Sequence, residues 1–262
     1  MLELTKQIIG SQKNHITYSK IPWDCQHLGN TTVEINEYIY TTKQDAKRLI
    51  SILIKKLHLT GGDLLFLKTS PLSVFHIRDL TSLGFYVMEE AVEISFHLTN
   101  WNPNAFPQHT IKEFRLVPAK NEHLPSIKKI AGSAFTYDRY HLDPHIPANG
   151  ASNRYIGWVE SSMNGSDEVF AFLNSANVVS GFFIIAKSPE CINLRLAAID
   201  PSLVGLGLGK LLYFLMITLL KNRGDMNIKT QISLNNTPVL NVYTYLVHPK
   251  VTRVEMVLHY TL

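Results

Sequence analysis

"LAAIDPSLVGLGLGKLLYFLMITLL", residues 196–220, decides how the rest of the chain is read. A short apolar run of strand character leads into Asp200 and Pro201. Gly205, Gly207 and Gly209 follow at alternate positions, ahead of a long apolar run of helical length. Glycines here permit positive φ and a close approach of ligand to main chain. A helix start after them presents unpaired N–H groups, the arrangement that holds phosphate. The same glycines also serve tight packing of a helix on a strand, and the turn alone does not choose between the two.

Two familiar phosphate turns fail the comparison. The dinucleotide fingerprint needs G-x-G-x-x-G near the first strand and an acidic residue about 20 positions on. Here the spacing is G-x-G-x-G, late in the chain, and Asp225 falls in a loop. The P-loop needs Ser or Thr after its lysine, whereas Leu211 follows Lys210.

Outward from the turn, the pattern is mixed α/β. Strand signals occupy 33–39, 63–69, 85–98, 111–119, 191–200, 227–233 and 253–262. A hairpin is expected over 168–188, turning at Asn174 to Asn177. Leu49, Ile52, Leu53 and Leu57 recur at helical spacing and Gly61 stops that helix. Further helices are expected at 75–84, 121–135, 153–165, 208–222 and 237–246, the last with Pro238 in its first turn. Residues 136–153 read as a long polar loop, and no internal repeat is visible. The Asn- and Pro-rich stretch 99–110 reads as a boundary, giving regions 1–105 and 106–262.

Bulk properties narrow the function. The 262 residues are 45% hydrophobic and 18% charged, with a formal charge of +4. That suits a globular chain with a full core and an anionic small ligand, and falls short of a nucleic-acid-binding signature. The apolar run 211–220 is about half a membrane span. Cys25 and Cys191 lack the companions of a zinc site, so no metal is expected. Two free thiols and the absence of a signal-peptide core in the first residues suggest a cytoplasmic protein.

"IDPSLVGLGLGKLL" resembles the Q/R-x-x-G-x-G/A turn of the GCN5-related N-acetyltransferases, the GNAT superfamily, with Gly207 and Gly209 as its glycines. Val204 replaces the usual Gln or Arg, and Leu206 stands where a basic residue is common. Amide donation survives such changes; the lost cation weakens the phosphate grip, and Lys210 is placed to compensate. "NTPVLNVYTYLVH" is similar to the second GNAT helix motif, matching it at Asn236, Val239, Tyr243 and Leu246. Val247-His248 departs from the usual Gly-Phe. The stretch 114–165 looks like the bacterial TDP-fucosamine acetyltransferase family, through Ala134-Phe135, Arg139-Tyr140, Tyr155, Trp158 and Gly165. That resemblance extends to "SLGFYVMEEAVEISFHL" and to "RVEMVLHY".

The resemblance implies a GNAT fold: a mixed, mostly antiparallel, splayed sheet flanked by helices, with a half-GNAT-like N-terminal region. It implies acyl transfer from acyl-CoA to the amine of a nucleotide-linked amino-dideoxyhexose, for surface polysaccharide. The acyl group is acetyl or longer, such as hydroxybutyryl. Ala197, Ala198 and Ile199 would pair with the pantetheine arm as a further strand would. Main-chain groups of Leu206, Gly207, Leu208, Gly209 and Lys210, with Asn236, would hold the cofactor. Tyr243 would protonate the departing thiolate. Arg139 and Arg154 would meet phosphate, and Tyr140, Tyr155 or Trp158 would cover sugar or base, the other reading of Tyr155 and Trp158 being core residues of an amphipathic helix; Asn153 would cap that helix or meet phosphate. The general base is open among Asp138, His141, Asp143, Glu160 and water. A homodimer is an option; nucleic acid and membrane are not expected partners. The rival readings are a non-catalytic acyl-CoA-binding regulatory module and a GNAT acting on another primary amine.

Overall fold

The computed structural model describes residues 4–99, 101–102 and 113–262. Its elements run β1 (Gln7–Gly10), β2 (His15–Lys20), α1 (Pro22–Leu28), β3 (Thr32–Ile39), α2 (Lys43–Leu57), β4 (Leu64–Thr69), α3 (Val74–Ser82) and β5 (Tyr86–His97). Then come β6 (Phe114–Pro118), α4 (Leu124–Ala134), α5 (Arg139–Leu142), α6 (Ala148–Asn164), β7 (Glu168–Asn174), β8 (Val179–Lys187) and β9 (Ile192–Ile199). Last are α7 (Leu208–Arg223), β10 (Asn227–Ser233), α8 (Thr237–Val247) and β11 (Lys250–Thr261).

The described residues gather into two compact units, and neither is a single stretch of chain. Unit 1 takes residues up to Ala91, Arg139–Arg154 and Val254–Leu262; unit 2 takes the rest. The stretch read as the boundary lies largely outside the described residues. Two later segments join unit 1 because they complete its packing. Tyr140, Ile146 and Ala151 form a buried cluster with Leu28 and Leu64, while Val257 packs with Ile21 and Phe66.

In unit 1 the strand order is β1-β2-β3-β4-β11. All neighbours are antiparallel except β3 and β4, which run parallel with α2 as their crossover. Leu49, Ile50 and Leu53 of α2 lie on one face of that helix, as i, i+3, i+4 spacing requires. They bury against Ile16, Tyr18, Val33, Ile35, Leu65 and Leu67. The helix ends earlier than Gly61: His58 takes the left-handed conformation and turns its N–H back to Lys55, which lets Leu59 enter the core.

In unit 2 the order is β5-β10-β9-β8-β7-β6, with β9 and β10 the parallel pair. Apolar runs on β7 and β8 are buried on both faces, since alternate residues enter two different clusters. Phe170, Phe172, Phe183 and Ile185 face α7 and α8. Val169, Ala171, Phe182 and Ile184 face α4 and α6. Burying one such phenylalanine contributes roughly 1.5–3 kcal/mol.

One element order runs twice along the chain, with the last strand of each run packing into the other unit's strand order. A β-hairpin is followed by a strand, a helix, a parallel strand, a second helix and a last strand: β1-β2-β3-α2-β4-α3-β5, then β7-β8-β9-α7-β10-α8-β11. A bulge recurs as well. Register slips at Asn36 on β3, between Ile35 and Glu37, and at Arg195 on β9, between Leu194 and Leu196. The sequence shows no repeat because none of this depends on shared residues. The segment 136–153 is also more ordered than a loop: α5 lies within it, and α6 starts at Ala148. Polar propensity gives way to burial there. Ala151 is fully buried, and a Cβ at Gly150 would come within 3.3 Å of the Leu28 backbone.

Candidate active site

The bulge at Arg195 determines what β9 presents. A strand alternates faces, so Leu194 and Leu196 would share one. The extra residue separates them: Leu194 enters the cluster under α7 and α8, and Leu196 enters the one under α4 and α6. Ala197 and Ile199 then return to the first side, with Ala198 on the second. Arg195 itself pairs with Asp167 at 3.0 Å and lies over the Trp158 ring.

Pairing between β9 and β10 covers Ile192↔Ile228, Asn193↔Lys229 and Leu194↔Thr230. β9 then continues to Ile199 and β10 to Ser233. The parallel ladder therefore ends at Leu194 and Thr230. Ala197, Ala198 and Ile199 lie beyond that point, and all three are half-buried.

The glycine turn follows at the end of β9. Asp200 accepts the Ser202 N–H at 2.9 Å and the Ser202 hydroxyl at 2.7 Å. Those bonds hold its carboxyl below the usual range. Gly205 and Gly207 have φ of 89° and 76°, values that a side chain disfavours. Gly207 is the N-cap of α7 and no side chain caps that helix. The N–H groups of its first turn have no intrahelical acceptor by geometry. A Cβ at Gly205 or Gly207 would meet nothing within 4 Å, so the main chain borders open space. Such a corner fits a diphosphate. Not every amide is available: Leu206 N–H is turned to Leu203 O at 3.4 Å. Val204 and Leu206, which replace the usual polar residues, are 68% and 67% exposed and leave the turn uncovered. Lys210 Nζ sits 3.9 Å above the Tyr245 ring, one helical turn from that open corner.

Tyr243 projects from α8 into the core of unit 2 and is 2% exposed. Its ring meets Tyr213 edge-on at 5.1 Å and Phe96 at 5.9 Å. Burial, with Tyr213 adding to it, pushes the phenol well above its ordinary value of about 10; a hydrogen bond to Thr230 acts the other way. The hydroxyl is therefore neutral at physiological pH. Asn236 caps α8, its side chain accepting Val239 N–H at 3.3 Å.

The residues expected around the acceptor fall in both units. In unit 1, Arg139 is 7% exposed, its guanidinium 3.9 Å from the Phe66 ring centre. Arg139 Nη2 donates to Tyr140 Oη at 2.5 Å, and Tyr140 donates to Asp24 at 2.8 Å. Arg154 Nε donates to the other Asp24 oxygen at 2.6 Å. These are buried structural partners: Asp24 is 1% exposed. Asn153 is exposed and lies inside α6 rather than at its start, so it does not cap that helix. In unit 2, Tyr155 is stacked between Phe135 at 4.2 Å and Trp158 at 6.3 Å, leaving no ring face open to a base. Trp158 is half-buried.

Among the open base candidates, Glu160 is paired with Lys128. Asp143 is buried in unit 1. Burial opposes its charge, but hydrogen bonds from His259 and from the His145 backbone outweigh that and hold the carboxyl at about 2. Sequence reading missed its partner: His259 Nδ1 lies 2.6 Å from Asp143, and burial lowers the imidazole to about 4. Asp138 and His141 are half-buried. Among the described residues no group of three His, Cys, Asp or Glu side chains is arranged to hold a metal. No helix there is long and apolar enough to cross a membrane.

Unit 1 has a parallel ladder of the same kind, ending at Ile35↔Leu67, but a different turn. Thr42 and Asp45 form a reciprocal capping box that occupies the N-terminus of α2. Counting from the N-caps, Leu80 stands where α8 has Tyr243. Tyr40 at the end of β3 reaches His76 of α3, hydroxyl to Nδ1 2.9 Å. Among the described residues, the glycine-led helix start without a side-chain cap is found at α7 in unit 2, while the start of α2 in unit 1 is capped.

No protein-family model matches the chain. It is 29% identical over 104 residues to the spore coat polysaccharide biosynthesis protein SpsD of Bacillus subtilis (strain 168), covering 39% of this chain and 36% of that protein. The match thus spans little more than a third of that curated relative's length. Among solved structures, a GCN5-related N-acetyltransferase from Sphaerobacter thermophilus superposes with a TM-score of 0.66 at 8% identity, over 94% of this chain and 76% of the other. A tandem GNAT protein from the clavulanic acid biosynthesis pathway gives 0.58 at 12% identity, over 99% and 83%. With the splayed parallel pair, the glycine turn and the helix that follows it, these likenesses establish that the chain has the GNAT fold.

Proposed function

We propose that the protein is an N-acyltransferase that moves an acyl group from acyl-CoA to the amine of a nucleotide-linked amino-dideoxyhexose. One observation carries this reading. The uncapped glycine corner before α7 follows directly on β9, the strand that runs on past the end of the β9–β10 ladder, and the buried, neutral Tyr243 of α8 packs in the core of the same unit. The likeness to a polysaccharide biosynthesis protein supports a sugar acceptor for surface polysaccharide. The base of the carrier nucleotide is thymine in this reading, and the acyl group is acetyl or 3-hydroxybutyryl. Such chemistry belongs in the cytoplasm, where nucleotide-sugars are made.

In this mechanism the main chain of Gly205 to Lys210 receives the diphosphate of CoA. The free main-chain groups of residues 196–199 pair with the pantetheine amides as an added strand does. An N–H there meets the oxygen that gains charge when the amine attacks the thioester carbonyl. Tyr243, kept neutral by burial, gives its proton to the sulfur as the carbon–sulfur bond breaks. The amine's proton passes to water.

The test mixes the protein with acetyl-CoA and a dTDP-amino-dideoxyhexose and follows acylated sugar by mass spectrometry. Tyr243→Phe lowers turnover by about 10²-fold or more and leaves CoA affinity unchanged. Tight CoA binding with no product across several amino-sugars and acyl donors would point instead to a regulatory module. Full turnover in Tyr243→Phe would remove the assigned acid.

A further inference from the structure

The start of α7 gathers positive charge. Among the described residues no side chain caps its first-turn N–H groups, and that turn holds no acidic residue. The aligned peptide dipoles add a partial positive charge at the same end. Lys210, in the first turn, brings a full one. The dipole disfavours a cation there and favours one at the other end, where Lys221 and Arg223 stand. Those two are engaged locally: Lys221 donates to the Thr99 carbonyl and Arg223 pairs with Glu168. Lys210 instead rests its ammonium on the Tyr245 ring of α8, 3.9 Å from the ring centre. Tyr245 is 52% exposed, so much of the ring meets solvent. Both residues belong to unit 2.

We propose that Tyr245 and Lys210 form the subsite for the nucleotide end of the acyl donor: Tyr245 takes the adenine on its ring face, and Lys210 takes a phosphate oxygen. The inference rests on the acyl-transfer reading above and deepens it. It makes the protein select acyl-CoA over an acyl group carried on phosphopantetheine alone. An exposed cation–π contact is weaker than a charge-assisted bond to phosphate. The ammonium therefore leaves the ring when a diphosphate enters the glycine corner. Helix dipole, first-turn amides and lysine then share one counter-charge. The ring face that the ammonium vacates is a stacking surface for a purine. Lys210 is the one cation in residues 196–210. Val204 and Leu206 of the same turn are exposed and uncharged, so the charge needed for the phosphate falls to this side chain.

The test is calorimetric titration with CoA and with 4′-phosphopantetheine, which keeps the pantetheine arm and one phosphate but lacks the adenosine. The wild type should bind CoA about tenfold or more tightly than 4′-phosphopantetheine. Tyr245→Leu should weaken CoA about tenfold, the effect of one lost base–aromatic stack, and leave 4′-phosphopantetheine within about twofold. Tyr245→Phe keeps the ring and should bind CoA as the wild type does. Lys210→Met keeps the apolar stem without the charge and should weaken CoA about tenfold or more. Lys210→Arg should recover most of that loss. Wild-type CoA affinity in Tyr245→Leu or in Lys210→Met overturns the proposal, as does an equal loss for both ligands in Tyr245→Leu. Should Tyr245→Leu fail to fold, Tyr245→Trp reports the same contact: CoA should quench the added emission and 4′-phosphopantetheine should not, and equal quenching by both overturns the proposal. A wild-type protein that binds no CoA, or a Gly207→Val variant that binds it normally, overturns the acyl-transfer reading and this inference with it.

Discussion

Gly207→Val and Gly224→Val are a matched pair of perturbations at the two ends of α7. Both glycines are in the left-handed region, with φ of 76° and 83°, and a Cβ at either meets nothing within 4 Å. The backbone strain of a side chain is thus alike at the two sites, about 1–2 kcal/mol or somewhat more for a β-branched residue. Only Gly207 borders the corner assigned to the diphosphate. Each charge-assisted hydrogen bond to a phosphate oxygen contributes roughly 1.5–3 kcal/mol. Displacing the diphosphate from two amides then costs about 3–6 kcal/mol, or ~10²–10⁴-fold in CoA affinity. Thermal unfolding of the free proteins should show two similar losses of stability. Calorimetric titration with CoA should show near-normal affinity in Gly224→Val and a collapse in Gly207→Val. Unimpaired CoA binding in Gly207→Val, or equal losses in both variants, would refute the reasoning.

The repeated element order invites the question of a second cofactor site, and the capping box of Thr42 and Asp45 answers it. Titration should give one CoA per chain, unchanged in Thr42→Val; two equivalents would contradict this. The His259–Asp143 pair makes acid stability specific. His259 takes up its proton near 6.5 when unfolded and only at about 4 when folded. The unfolded chain therefore binds more protons in that window, and stability falls as pH drops from about 6.5 to about 4. The full effect is on the order of 3–4 kcal/mol, from an imidazole that titrates at about 4 instead of 6.5. Asp143 has the opposite kind of group with the same direction: its contribution is present above 3.8 and is lost toward about 2. Urea unfolding should show the upper window in the wild type and lack it in His259→Gln; an unchanged slope in the variant would sink the assignment.

Much of the fold was legible because its signals are local. Apolar runs marked β7, β8 and β9, the glycine turn marked the start of α7, and Pro238 marked the start of α8. The hairpin of β1 and β2 went unread: β1 has four residues and only Ile9 of them is buried. The start of α6 was misplaced because Asn149, Gly150 and Asn153 are turn residues by propensity, while burial against Leu28 is a tertiary effect.

At the site the same division holds. The glycine corner stood out from its spacing, and Tyr243 was assigned through the resemblance to the second GNAT helix motif. Arg139 and Arg154 looked like loop cations free to bind phosphate; the carboxylate that holds their cluster, Asp24, is 130 residues from Arg154. His259 gave no signal, since it acquires its partner, Asp143, from another element. The bulge at Arg195 is a register property, and no single residue type announces it.

The most direct measurement is a crystal structure of the protein with CoA. The predicted result is one CoA per chain, its diphosphate within hydrogen-bond distance of the main-chain N–H groups of residues 205–210 and its pantetheine alongside residues 196–199. CoA lying elsewhere, or a corner at Gly205 and Gly207 closed by side chains, would contradict it.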